Sequence, residues 1–349
     1  MKIAIHDRPG SFSDRWIAYC REKNISYKVV NAYDSDIVAQ VADCDAFMWH
    51  HHQSDSRDIL FAKQLLFALQ QAGKVVFPDF NAGWHFDDKV GEKYLLEAIG
   101  APLVPSYVFY NKKEALEWCE TAKFPKVFKL RGGAGSVNVR LVKNLSAAKK
   151  LVSMAFGKGF KVVDRKQIAT DAWKAGDYKK SLKNLGALLL PFLTNEGKNE
   201  MSRQKGYILF QDFIPGMKSD TRVVVIGNRA FALTRMVRKN DFRASGSGIS
   251  CYDKDAIDER CVKAAFDIAN RMFGEDDGEI GFDFLVDDKG NAMVIEMSYG
   301  FVTCDECPGF WESRNGCIAW NATPPLKDSS VQALMVDLVV KKILAKGHN

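Results

Sequence analysis

The chain has 349 residues, 47% hydrophobic and 26% charged, with a formal net charge of +6. That balance belongs to an ordinary folded protein of two or three packed units, and no run of about 18 apolar residues is present to cross a membrane. The opening MKIAIHDRPG lacks the apolar stretch and cleavage site of a signal peptide, and eight scattered Cys make no disulfide framework, so a reducing cytoplasm is expected.

Residues 1 to about 85 alternate strand and helix patterns. KIAIHD, YKVVNAY, DAFMWH and KVVFPDF read as strands, with helices over Asp14–Lys23, Asp36–Val41 and Ser56–Gln71. Such alternation predicts a mostly parallel sheet covered by helices. No GxGxxG follows the first strand, so a dinucleotide fingerprint is absent. Next come a helix over Asp87–Ile99 stopped by Gly100, the strand SYVFY, a helix over Lys112–Ala122, the strands KVFKL and VRLV around a glycine loop, and a helix from Ser146. From Lys158 to Gly206 there are eleven Lys or Arg against five Asp or Glu, so the whole of the net charge belongs to this segment. YILFQDFI, TRVVVIG and RAFALTRMV then read as strands, followed by a helix over Asp255–Phe273 and a strand hairpin. A long coil over Tyr299–Ser329 and a closing helix over Ser330–Ala345 complete the chain.

The hairpin carries the most informative residues. Asp283 lies in EIGFDFLVD and Glu296 in NAMVIEMS, thirteen positions apart, with the turn Asp287–Gly290 between them. A carboxylate among apolar neighbours is costly to bury unless it is paired or holds a cation. Two facing carboxylates would suit magnesium; the other reading pairs one acid with an Arg and leaves the second solvated. The glycine loop KLRGGAGSVNV joins two strands, so it is not a Walker loop. Its glycines suit a backbone nest for anions, flanked by Lys129, Arg131 and Ser136, although a mobile hairpin tip with solvated charges fits the same residues. Lys89 adds a cation at a helix start. Gln211, Asp212, Phe213 and Ile214 run into a Pro-Gly bend, where extended backbone could read the edge of a flat base, and Asp220 could accept ribose hydroxyls.

These pieces, in this order, resemble the ATP-grasp superfamily, and within it the carboxylate–amine ligases such as glutathione synthetase, D-alanine–D-alanine ligase and the ribosomal-protein glutamate ligases. The motifs are FDDKVGEKYLLEAIGAPLVPS, FPKVFKLRGGAGSVNV, YILFQDFIPGMKSDTRVVVIGNRAFALTRMVRKNDFRASGSG and EIGFDFLVD…MVIEMS, spanning roughly 86–157 and 207–298. The resemblance implies α/β and α+β architecture: an N-terminal parallel-sheet domain over 1–85, a small central lobe over 86–157, and a C-terminal antiparallel-sheet lobe over 207–349, with 158–206 as a basic helical insertion. It implies ATP and Mg2+ as cofactors. Lys89, Lys129 and the loop from Arg131 through Gly132 and Gly133 to Ser136 would meet phosphates. Gln211 to Ile214 would form the adenine hinge, and Asp220 would bind ribose. Arg235 and Arg243 would meet the γ-phosphate and an acyl-phosphate intermediate, and Asp283, Glu296 and Ser298 would hold metal. The implied reaction joins the carboxylate of an amino acid, peptide or acidic glycan to an amine. One position departs from the family's E-x-N, since Glu296–Met297–Ser298 puts a hydroxyl where Asn is usual. That departure motivates the other function reading, a nucleotide-binding regulator of the same fold without ligase activity.

Outside the motifs, His50, His51 and His52 end a strand, where a crevice ligand, a surface loop or a metal site are the readings. Cys304, Cys307 and Cys317 fall one ligand short of structural zinc. The basic insertion reads first as a helical hairpin packed on the enzyme or a second subunit, hence a homo-oligomer. An acidic-substrate site, or peripheral membrane contact through 179–193, is the other reading. Nucleic acid is not expected, because no basic face is interleaved with aromatics.

Overall fold

The computed structural model describes residues 1–133, 138–161, 203–238, 241–244, 249–301, 307–322 and 331–346. Ser136, Cys304 and almost all of the basic insertion, including Lys179, Lys180 and Lys183, lie outside the described residues.

The first sheet is parallel, in the order β2-β1-β3-β4, with β1 Ile3–His6, β2 Tyr27–Val30, β3 Ala46–Met48 and β4 Val75–Phe77. Side chains alternate across it. Ile3, Ile5 and Met48 enter one core, while Ala4 and Phe47 enter another. Both faces are covered, which is why three of the strands are uniformly buried. Helices α1 Phe12–Glu22, α2 Ile37–Gln40 and α3 Ser56–Gln71 connect the strands, and the short α4 Phe80–Gly83 follows β4.

Helix α5 (Lys89–Ala98) leads into a small antiparallel sheet ordered β5-β8-β6-β7, with β5 Ser106–Phe109, β6 Lys126–Lys129, β7 Arg140–Val142 and β8 Ile208–Asp212. Helices α6 (Lys112–Thr121) and α7 (Leu145–Ala155) cover it through Ala115, Cys119, Leu151 and Val152 against Phe128 and Phe210. Strand β8 opens the 207–349 stretch in sequence, yet it lies inside this small sheet between β5 and β6.

The large sheet is antiparallel in the order β13-β12-β9-β10-β14-β15, with β11 on β10. Its strands are β9 Ser219–Gly227, β10 Arg229–Met236, β11 Ser250–Cys251, β12 Gly278–Val286, β13 Ala292–Ser298, β14 Phe310–Arg314 and β15 Cys317–Asn321. Along β9, Val223 and Val225 face α8 (Glu259–Phe273). Val224 and Ile226 face the core shared with α1, the first sheet and the last helix, α9 (Val331–Lys346).

Two expectations are corrected. The stretch 299–329 is not all coil, because β14 and β15 form a hairpin closed by Asn315 and Gly316 at φ 51° and 76°. Those angles suit the two-residue turn that an Asn-Gly pair favours. Trp311 pairs with Trp320 across it, ring centroids 4.4 Å apart. The helix expected from Asp255 begins at Glu259, because Asp258 caps it by accepting the Arg260 N–H.

Candidate active site

The small and large sheets face each other across a cleft of about 240 Å³, lined by residues that include Lys89, Lys129, Gly133, Gln211 to Ile214, Asp220, Arg243, Asp283 and Glu296. Eleven of the sixteen residues expected from the sequence thus meet in one cleft, although they come from α5, β6, β8, β9, β12, β13 and the connections between them.

On the small-sheet side, β8 ends at Asp212, so Phe213 and Ile214 leave the sheet without strand pairing and run along the cleft wall. Gln211 is buried and donates to Ser106 Oγ at 3.1 Å. The Asp212 carboxylate accepts from Lys126 at 2.5 Å. Phe213 meets Phe242 edge-on at 6.0 Å. Arg131 is largely exposed, its Nε 3.6 Å from Asp88.

Two buried lysines project where the sheets meet. Lys89 Nζ lies 2.9 Å from Glu296 and donates to the Gly133 carbonyl at 2.9 Å. Burial opposes its charge, but Glu296, Glu92 and Asp87 outweigh burial and hold it above the ordinary lysine value. Lys129 Nζ donates to the Ile295 carbonyl at 3.0 Å. Here burial wins, with Lys89 adding to it, and the group falls to about 8. Glu92 escaped the sequence reading because it resembles any helix-face acid. It is buried beneath this pair, accepts the Met297 N–H at 3.1 Å, and is pushed up to about 8 chiefly by burial.

The large sheet supplies a chain of charges set by register. Asp283 stands opposite Glu296 on one side and Arg222 on the other, while Arg235 stands opposite Asp220. Arg222 grips Asp283 through two bonds of 2.7 and 2.9 Å, Arg235 reaches it at 2.7 Å, and Arg235 also grips Asp220 with two bonds of 2.7 Å. Burial raises the Asp283 carboxyl, but the two arginines more than reverse that and leave it below the usual range. Asp220 is raised to about 6, by burial first and Asp283 second.

This network bears on three expectations. Arg235 is buried behind the cleft wall with its guanidinium engaged by two carboxylates, so it organises Asp220 and Asp283 rather than standing ready for the γ-phosphate. Asp220 reaches the cleft with each of its oxygens already accepting one bond from Arg235. Ser298 closes its own turn, its hydroxyl donating to the Gly300 carbonyl at 2.9 Å and accepting the Gly300 N–H at 3.0 Å, and it does not line the cleft. Arg243 does line it, held by Asp241 at 2.6 Å.

Among the described residues, no cluster of three or more His, Cys, Asp or Glu could hold a metal ion by itself. The two facing carboxylates still fit a cation shared with phosphate oxygens, as magnesium prefers. Glu296 is 37% exposed at its side chain, and Asp283 Oδ1 accepts, among the described residues, the Arg222 Nε–H at 2.7 Å.

At the end of β3, His50 and His51 are packed among aromatic rings. His51 is buried between Phe86 and Tyr299, each ring 4.8 Å away, and its carbonyl accepts the Tyr299 hydroxyl. His50 stacks on Phe12 at 3.7 Å and burial lowers it to about 3. His52 bonds Ser54 at 2.7 Å. Cys307 is buried against the Ala232 carbonyl and Cys317 is exposed on β15.

A strand–loop–strand glycine turn, two buried lysines and a carboxylate hairpin around one cleft between two antiparallel sheets define the arrangement. A family model described as a RimK-like ATP-grasp domain matches residues 189–301. This is an ATP-grasp fold. Among solved structures, a RimK domain ATP-grasp protein from Sphaerobacter thermophilus DSM 20745 is 14% identical at TM-score 0.50, covering 85% of this chain and 90% of that one. The D-cycloserine synthetase DcsG is 14% identical at TM-score 0.54, covering 98% and 99%. The D-alanine–D-alanine ligase of Bacillus anthracis, solved with ATP, is 11% identical at TM-score 0.53, covering 100% and 99%. No curated protein sequence matches the chain. Among the described residues, no helix is long and apolar enough to cross a membrane.

Proposed function

We propose that the protein is an ATP-dependent ligase that joins a carboxylate to an amine, releasing ADP and phosphate. The observation that carries this reading is that Lys89 and Lys129 line one cleft with the facing Asp283–Glu296 pair, Lys89 Nζ standing 2.9 Å from Glu296. Phosphoryl transfer asks a protein mainly for positioning and charge neutralisation, and paired cations facing paired carboxylates supply both.

In this reading the backbone at Phe213 and Ile214 meets the adenine edge, and Lys89, Lys129 and Gly133 meet the phosphates. Magnesium held by Asp283 and Glu296 would neutralise charge on the nucleotide's phosphate oxygens. Arg222 and Arg235 fix the Asp283 carboxylate, and Arg243, which lines the cleft while paired with Asp241, would meet charge developing on the transferred group. A substrate carboxylate oxygen attacks the γ-phosphorus and ADP leaves. The amine nitrogen then attacks the acyl carbon, phosphate leaves with the C–O electron pair, and the nitrogen loses a proton. An amino acid, peptide or acidic glycan is the carboxylate class proposed, in a cytoplasmic and oligomeric enzyme.

A screen of carboxylate and amine pairs for phosphate release, with mass spectrometry of the products, tests the proposal. A pair giving both release and an amide supports it. One observation favours the second reading, a nucleotide-binding regulator: the Ser298 hydroxyl is closed on Gly300 where a third oxygen ligand would be wanted. ATP binding with no release from any pair would favour that reading.

A further inference from the structure

We propose that Asp87 is the positioning residue of the glycine loop, fixing Gly132 and Gly133 against Lys89 so that the phosphate end of the cleft is preformed. The inference rests on the nucleotide reading of this cleft and assigns a role to Asp87, a motif residue that the resemblance left without one.

The sequence offers two adjacent aspartates before α5, and the structure divides their work. Asp88 caps the helix, accepting from the Val90 and Gly91 N–H groups at 3.2 and 3.0 Å. Asp87 is turned the other way by a left-handed backbone, φ 55°, which Asp tolerates better than most residues. Its Oδ1 accepts the Gly133 N–H at 2.6 Å. Its Oδ2 lies so close to Gly132 that a Cβ there would stand 2.7 Å from it. Gly132 is therefore required by Asp87, and not only by the freedom of a loop.

Two further bonds complete the junction. The Lys89 N–H donates to the Arg131 carbonyl at 2.9 Å, and Lys89 Nζ donates to the Gly133 carbonyl at 2.9 Å. Residues 131–133 are thus tied to 87–89 by both backbone and side chain. Upstream, Lys63 Nζ holds the Trp84 and Phe86 carbonyls at 2.8 and 2.9 Å, anchoring the segment that presents Asp87 to α3. Without the carboxylate, Gly133 loses its acceptor and Lys89 loses a neighbour that helps hold its charge. Both effects fall where Gly133 and Lys89 line the cleft.

The test measures ATP and adenosine binding by calorimetry in four variants of the full chain, each checked for a native thermal transition. Asp87→Gly removes the carboxylate at a φ that glycine adopts freely. It should weaken ATP by about tenfold, the worth of one charge-assisted hydrogen bond, and leave adenosine within about twofold. Asp87→Asn keeps an oxygen acceptor and should retain most of the ATP affinity. Gly132→Ala should weaken ATP in the presence of Asp87 and add less to Asp87→Gly, because the nearest clash, at 2.7 Å, is with that carboxylate while the Asp87 carbonyl oxygen stands farther off at 3.3 Å. Unchanged ATP affinity in Asp87→Gly, or equal harm from Gly132→Ala with and without Asp87, would overturn the proposal. Parallel losses of ATP and adenosine would overturn it too, by showing a general effect on folding. If the unaltered protein binds neither ligand, the nucleotide reading itself fails.

Discussion

Lys129 offers the sharpest handle on the cleft, because burial holds it near 8, inside an accessible pH range. In the nucleotide-free protein about nine-tenths of it is charged at pH 7 and about one-tenth at pH 9. Phosphates arriving beside it would favour the charged form, so ATP should bind with proton uptake, and affinity should fall as pH rises through 8. The loss between pH 7 and 9 is up to about tenfold, or ~1.4 kcal/mol. The phosphate's own ionisation, with a pKa near about 6, is largely complete by then. Glu92 also titrates near 8 and is pushed the same way by an incoming anion, so the wild-type profile alone does not isolate Lys129. Lys129→Met does. It should bind ATP more weakly at pH 7, and its gap from the wild type should narrow toward pH 9, where the wild-type lysine is mostly neutral. Isothermal titration calorimetry in two buffers of different ionisation enthalpy reads both affinity and proton uptake. Parallel pH profiles for the two proteins, or no proton uptake, would refute a phosphate contact at Lys129.

Other outcomes follow from the same charges. Asp283→Asn should lower stability by about 3 kcal/mol in urea unfolding, because it strips Arg222 and Arg235 of a buried partner. Glu296→Gln should lower stability by less than Asp283→Asn, because Glu296 is partly exposed and Glu92 and Asp87 still face the buried Lys89, yet abolish turnover. Glu279 is buried under Lys342 and the Asp79 N–H, and burial raises it to about 8. The folded form therefore holds a proton between about pH 4.5 and 8 that the unfolded form has released, so stability falls as pH rises across that window. Thermal midpoints of Glu279→Gln should depend less on pH from 5 to 8 than those of the wild type.

The cleft was legible where charge stood out against apolar surroundings. Lys129, Asp283 and Glu296 interrupt strands, and that anomaly survives without any structure. What stayed hidden depends on register and long-range pairing. Arg222 entered its strand like any surface charge, and only the pairing of β9 with β12 makes it the partner of Asp283. Asp283 thereby proved to be arginine-paired while facing Glu296, which itself pairs with Lys89. Glu92 and Asp87 sit in a helix start crowded with ordinary acids, and neither spacing nor composition separates them from Asp88. Strand β8 follows the insertion in sequence but inserts between β5 and β6, an ordering that local pattern does not carry. The β14–β15 hairpin was readable, since Asn315–Gly316 between two apolar runs is a strong turn signal. It was lost among the neighbouring Cys, Pro and Gly residues.

The central claim is that a carboxylate is activated by ATP in this cleft and passed to an amine, and isotope transfer tests it most directly. For the carboxylate and amine pair that releases phosphate, the carboxylate is supplied with both oxygens as oxygen-18 and the products are weighed by mass spectrometry. The account predicts one heavy oxygen in the released phosphate and one retained in the amide, because the bond broken by the amine joins the acyl carbon to an oxygen that came from the substrate. Unlabelled phosphate, released as fast as the amide forms, would contradict it.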